Sequence, residues 1–342
     1  MKKILALVLA SALIIPFATE TFAANPDNIP EYKSKFRDAT GPEVDGLAID
    51  YVSYSPADDG APKPLVIYTH GMGQGKAPRA QIEENNISLW ASDELQARFT
   101  NGGAYILVPR SQENHNEFWS NKYIKSLKAA IDDFIAQNRS GIDVTRIYIG
   151  GFSMGGKMAF KMITSYPDFF AAAFPMCPAY LPSDEQIDAI KNMPIWMLTS
   201  KYDILAGYHV SGEKIWKKLC ERSAVAADCR LSLFGKVCYP DGKKCPSNHF
   251  VWFAASNDMF TYDEKDYPNM VTTDGLGNTV TLTSPDGLIS WLCKYTSNYN
   301  GQTENYTGLA EVGGENELNF VATVLRAIFP MISDTVKSLF AR

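Results

Sequence analysis

The 342-residue chain is poor in the features that would mark several function classes. It has no basic excess: its net charge is −6, with 32 Lys and Arg against 38 Asp and Glu. That balance argues against a nucleic-acid partner, which would favour a positive face. Histidine is scarce, with four scattered along the chain, and no Cys-x-x-Cys occurs, so the spacing of a structural zinc site is missing. Neither a P-loop ending nor dinucleotide-type glycine spacing is present, and no internal repeat is visible. These gaps predict an enzyme or binding protein with no metal and no organic cofactor.

Between the first residues and the C-terminal region there is no apolar run long enough for a transmembrane helix. The N-terminus is different. Met1-Lys-Lys precedes an apolar run from Ile4 to Phe17, and Thr21-Phe22-Ala23 supplies small residues at −3 and −1. This predicts a signal peptide over 1–23 and export to the outside or to a periplasm. Six cysteines in an exported chain predict disulfides. Cys238 and Cys245 flank a Pro-Asp-Gly turn and are the first pair expected. Cys220 with Cys229 comes second, and Cys177 with Cys293 follows by elimination.

Apolar runs then alternate with helical patterns. PLVIYTH (64–70), AYILVP (104–109), RIYIG (146–150), AAAFPM (171–176) and PIWMLTS (194–200) read as buried strands. Ile124, Leu127, Ile131, Phe134 and Ile135 recur on one face of a helix. Such alternation predicts an α/β fold with a mostly parallel sheet covered by helices on both faces. The catalytic domain is expected over 24–297, with 250–285 as an inserted flap. A polar, Gly-rich linker (298–316) and an amphipathic segment (317–342) follow. That last segment suits packing on the domain, on a partner or on a membrane surface.

Gly151-Phe152-Ser153-Met154-Gly155 matches Gly-x-Ser-x-Gly between a strand and a helix. This is the context of a nucleophile held on a sharp turn, where flanking side chains would collide with neighbouring elements. A serine hydroxyl needs a base. Chain order selects His249, because His70 and His115 precede the serine and His209 follows too soon after the acid. Asp203, at the turn after PIWMLTS, is the expected acid, with Asp184 and Glu213 as weaker options. The oxyanion needs two amides, for which Met154 and Met72 in HGMGQG (70–75) are expected, with Gly71 or Gly73 as alternatives to Met72. Trp252, Trp119 and Tyr202 are candidates to line a substrate pocket.

With these residues in place, the chain resembles the α/β-hydrolase superfamily, and within it the secreted esterases and predicted peptidases related to polyhydroxybutyrate depolymerases and feruloyl esterases. PLVIYTHGMGQG, DVTRIYIGGFSMGGKMAFKMITSYPDFFAAAFPMC, MPIWMLTSKYDIL and SNHFVWF carry the resemblance. It implies an α/β-hydrolase fold, a Ser153–His249–Asp203 triad, and hydrolysis of a small-molecule or polysaccharide-linked ester. Two alternatives stand beside it: a serine peptidase of the prolyl-oligopeptidase type, and an inactive hydrolase fold used as a binding module.

Overall fold

The computed structural model describes residues 30–83, 86–112, 119–238, 244–259, 269–283, 286–302 and 306–312. The expected signal peptide and the C-terminal amphipathic segment lie outside the described residues. Among those described, no helix is long and apolar enough to cross a membrane.

Among the described residues, nine strands form one sheet: β1 (Arg37–Thr40), β2 (Asp50–Tyr54), β3 (Lys63–Thr69), β4 (Tyr105–Pro109), β5 (Ile142–Phe152), β6 (Ala172–Met176), β7 (Trp196–Ser200), β8 (Arg230–Phe234) and β9 (Met270–Asp274). Their spatial order is β1-β2-β4-β3-β5-β6-β7-β8-β9. From β4 to β8 every pairing is parallel, while β1, β2 and β9 join antiparallel at the edges.

The parallel strands are apolar without interruption because both faces are covered. Along β3, Val66 and Tyr68 enter one core cluster and Leu65 and Ile67 the other. The helix Lys122–Gln137 buries the predicted stripe of Ile124, Leu127, Ile131, Phe134 and Ile135 against the second face. The helix Met154–Ser165 is buried along its whole length. Part of its cover comes from the stretch expected to be a linker. Thr307 donates from its amide to Ser165 O and from its hydroxyl to Thr164 O, satisfying carbonyls that a helix end leaves unpaired. Tyr306 packs on Tyr166 and Tyr299 on Phe169. The described part of 298–316 is therefore docked rather than a free tether.

The expected flap also differs. Trp252–Ser256 is a buried helix, and β9 completes the sheet edge beside β8. Its hairpin turns at Asp274–Asn278, with Asp274 N–H donating to Asn278 O at 2.9 Å.

The disulfide expectation is overturned, since all six cysteines are free. Cys238 pairs across a bridge with Lys244, so Cys245 sits opposite Val237, where its amide donates to the Val237 carbonyl. That one-residue offset sends the two thiols to opposite faces. Cys229 faces the Ser223 hydroxyl and the Met193 carbonyl. Cys293 accepts from Thr100 N–H, and its carbonyl holds Arg146 near the start of the buried part of β5. Cys177 follows the end of β6, whose Met176 pairs with Phe152. The six residue-to-residue steps from Arg146 to Phe152 span roughly 20 Å of strand, far beyond the reach of a disulfide.

Candidate active site

Strand order reverses between β3 and β5: one neighbour of β3 is the later strand β4, and the other is β5. Loops leaving such a switch point diverge and open a crevice at the carboxyl edge. The loop His70–Gly75 leaves β3 there, and Ser153 leaves β5.

Ser153 has φ 58° and ψ −114°, a strained conformation for a residue with a side chain. The strain is held from both sides. Ser153 N–H donates to Met176 O at 2.8 Å, and its carbonyl accepts from Lys157 N–H and Ala179 N–H. A Cβ on Gly155 would overlap the Thr69 carbonyl, so this glycine is what allows the elbow to approach β3. The Thr69 hydroxyl bridges the same gap, 2.8 Å from Gly155 O and 3.0 Å from Gly150 O. Met154 opens the helix, where amides lie outside the intrahelical ladder.

In the facing loop, the Gly71 amide is committed to Gln74 Oε1 at 2.7 Å, so Met72 is the next amide along. His70 secures this loop. Its Nδ1–H donates to Gly71 O at 2.7 Å, and Nε2 accepts from Ser111 N–H at 3.0 Å. This pattern requires the neutral Nδ1–H tautomer. Burial drives the His70 pKa down to about 4; the Gly71 carbonyl opposes the shift and Arg110 adds to it.

Asp203 follows β7 by three residues and is buried. Its Oδ1 accepts from Leu205 N–H at 2.9 Å and Ala206 N–H at 3.2 Å. Its Oδ2 lies 2.8 Å from His249 Nδ1. Burial pushes this carboxyl upward, but the His249 charge and the hydrogen bonds outweigh it and hold the pKa below the usual aspartate value. The His249 ring also lies on Phe152, with centroids 4.7 Å apart. Phe152 immediately precedes Ser153, so the imidazole is seated beside the elbow. With Nδ1 engaged by Asp203, Nε2 is the nitrogen left for proton transfer.

Residues 56–200 match the model of the phospholipase/carboxylesterase family. The structure is similar to a thermostable esterase at 24% identity and TM-score 0.55, over 66% of this chain and 61% of that one. The chain fold is that of an α/β-hydrolase. Similarity extends to Est1E from Butyrivibrio proteoclasticus, at 15% identity and TM-score 0.45 over 65% of this chain and 97% of that one. It extends also to esterase 2 from Thermogutta terrifontis, at 14% identity and TM-score 0.47 over 66% and 90%. No curated protein matches the sequence. The family model covers less than half of the chain, and the chain spans about three fifths of the length of that thermostable esterase.

Within this α/β-hydrolase fold the remaining predicted residues separate. Tyr202 is half exposed beside Asp203, and Met72 and Ile204 are also exposed. Trp252 is largely buried. Trp119 has no exposed surface, which corrects its expected place in a substrate pocket. Its indole N–H donates to His70 O at 2.9 Å, so it supports the loop from behind. Sequence reasoning passed over two residues. His70 was set aside because it precedes the serine, although its place directly before Gly71 was a signal. Cys177 was assigned by elimination, yet it follows a strand end at the same sheet edge as Ser153 and Asp203. Among the described residues, Cys177, Asp203 and His249 form the one group of His, Cys or acidic ligand atoms close enough to consider for a metal, all within 4.8 Å of one another. The Asp203–His249 hydrogen bond already uses one atom of each, and burial holds the thiol protonated, so this set fits a hydrogen-bond chain better than a cation.

Proposed function

We propose that the protein is an exported serine hydrolase that cleaves carboxylic esters through an acyl-enzyme. The observation that carries this reading is the 2.8 Å Asp203–His249 pair seated on Phe152, next to the strained Ser153. Ser153 Oγ attacks the ester carbonyl carbon as its proton passes to His249 Nε2. The carbonyl oxygen becomes an oxyanion, held by the Met72 and Met154 amides. When the tetrahedral intermediate collapses, the C–O bond to the alcohol breaks and His249 returns its proton to the leaving oxygen. Water then attacks the acyl carbon with His249 as base, the bond from that carbon to Ser153 Oγ breaks, His249 returns its proton to the serine oxygen, and the acid departs. Asp203 keeps the imidazole in its productive tautomer and balances its charge during transfer.

The substrate class in this reading is a short-chain or aromatic acyl ester, including esters carried on plant polysaccharide. Its support is the exposed apolar surface of Met72 on the loop after β3 and of Tyr202 and Ile204 on either side of Asp203. Export rests on the character of residues 1–23. Triad and substrate are tested together by labelling the folded protein with a fluorophosphonate probe and assaying short-chain nitrophenyl esters, feruloyl esters and peptide anilides. Labelling at Ser153 with turnover of esters is expected. Absence of labelling would remove the serine-hydrolase reading, and preferential turnover of anilides would make the protein a peptidase.

A further inference from the structure

The buried cysteine at the end of β6 has no part in the chemistry above, yet it lies inside the site. Cys177 is fully buried and takes φ 41°, in the left-handed region that is unfavourable for a residue with a Cβ. The segment around it is tied to the triad from both sides. Met176 O receives the Ser153 amide, and Ala179 N–H donates to Ser153 O. The Cys177 amide itself donates to Leu198 O on β7, the strand that leads to Asp203. Its Sγ lies within 4.8 Å of the ligand atoms of Asp203 and His249, and 3.9 Å from Thr199 Oγ1. A strained backbone that carries a polar side chain onto a catalytic pair is a pattern seen where geometry serves function.

Resting on the triad reading above, we propose that Cys177 is a positioning residue for Asp203, its S–H turning between the Thr199 hydroxyl and the carboxylate and donating to the latter. The thiol is suited to this because it keeps its proton. Burial and the neighbouring Asp203 charge push its pKa well above the usual thiol value. The hydrogen bond in turn helps hold Asp203 ionised in a buried place. The other titratable group on the Asp203 carboxylate is His249. Lys201 and Tyr202, the adjacent charged and phenolic side chains, are exposed to water. With two amides on Oδ1, His249 on Oδ2 and the thiol alongside, the carboxylate charge is spread over several donors. Removing the thiol concentrates that charge on the His249 bond, which strengthens its hold on the imidazolium.

The experiment compares wild type with Cys177→Ser, Cys177→Ala and Cys177→Val. It measures ester turnover from pH 5 to 9, thermal stability, and fluorophosphonate labelling of Ser153. Cys177→Ala and Cys177→Val are expected to move the acid limb of the pH–rate profile upward by about half a pH unit and to lower kcat roughly threefold to tenfold. Cys177→Ser retains a donor and should keep the wild-type profile. A merely structural thiol would change the melting temperature without moving that limb. Wild-type midpoints and kcat in all three variants, folded and labelled at Ser153, would overturn the inference while leaving the triad intact. An unlabelled wild type, by contrast, would remove the reading of the site itself.

Discussion

The His249 ring rests against Phe152 at a centroid separation of 4.7 Å and an interplanar angle of 46°. That contact joins two halves of the site that arise far apart in sequence: the elbow after β5, and the loop that follows Cys245. The imidazole is thus located by an apolar wall on one side and by Asp203 on the other.

The triad reading makes distinct demands on its members. Ser153→Ala should lower kcat on a nitrophenyl ester by several orders of magnitude, and Asp203→Asn by roughly 10³- to 10⁴-fold, because an amide cannot hold the same tautomer. Steady-state kinetics on folded variants checks both. Wild-type turnover by Ser153→Ala would reject the assignment outright.

Gly155→Ala should damage the protein through geometry alone. The new methyl would overlap the Thr69 carbonyl and approach that of His70, forcing β3 away from the elbow. A stability loss of about 2 kcal/mol is expected, with a larger fall in kcat than in substrate affinity, since the loop that would bind the oxyanion moves with Thr69. Urea denaturation and kinetics would separate the two effects.

Two buried groups oppose each other in acid. The His70 pKa is lowered to about 4, so folding binds fewer protons, and His70 costs stability as pH falls from 6.5 towards 4. The Asp258 pKa is raised to about 6 by burial, against the Ile289 amide and Arg98. Its ionised form is penalised in the fold, so acidification from 6 towards 3.8 returns stability. The two slopes largely cancel near pH 5. Asp258→Asn removes one of them, and its stability should fall about 1.4 kcal/mol further than wild type between pH 7 and 5. Denaturation midpoints at both pH values test this; parallel behaviour of the two proteins would contradict it.

Arg98 pairs with Asp258 at 2.9 Å, and the other Asp258 oxygen takes the Ile289 amide, which ties the end of the Trp252 helix to the closing helix Leu288–Leu292. Replacing Arg98 with Met strands a buried carboxylate and should cost about 3 kcal/mol. Adding Asp258→Asn should recover much of that loss. Failure of the double variant to recover would mean that Arg98 acts through packing instead.

Free cysteines have a direct chemical consequence. Protein unfolded in guanidinium without reductant should release six thiols per chain to a colorimetric thiol reagent. In the folded state Cys177, Cys229 and Cys245, all buried, should react slowly. A count of four or fewer after unfolding would restore a disulfide.

How much of this was legible beforehand differs from residue to residue. The parallel strands were readable because burial on both faces demands continuous apolar runs, and the Lys122–Gln137 helix because its stripe has a helical period. Ser153 was readable because a sharp strand-to-helix turn needs glycines close by. Trp119 was not, since aromatic character is the same whether a ring lines a pocket or supports a loop. The thiols of Cys238 and Cys245 were misread because spacing along the chain does not reveal register, and one residue of register decides which face a side chain takes.

By itself, then, the sequence determined what is local or periodic: the alternation of strand and helix, the elbow at Ser153, and the order of serine, acid and histidine. These follow from steric and hydrophobic rules acting over a few residues. The tertiary structure alone decided what long-range packing sets. It joined His249 to Asp203 and to Phe152, turned His70 and Trp119 into supports for the Gly71–Met72 loop, and carried Cys177 from a supposed disulfide to the Asp203–His249 pair. Such contacts depend on strand order and side-chain direction in three dimensions, which short-range patterns do not encode.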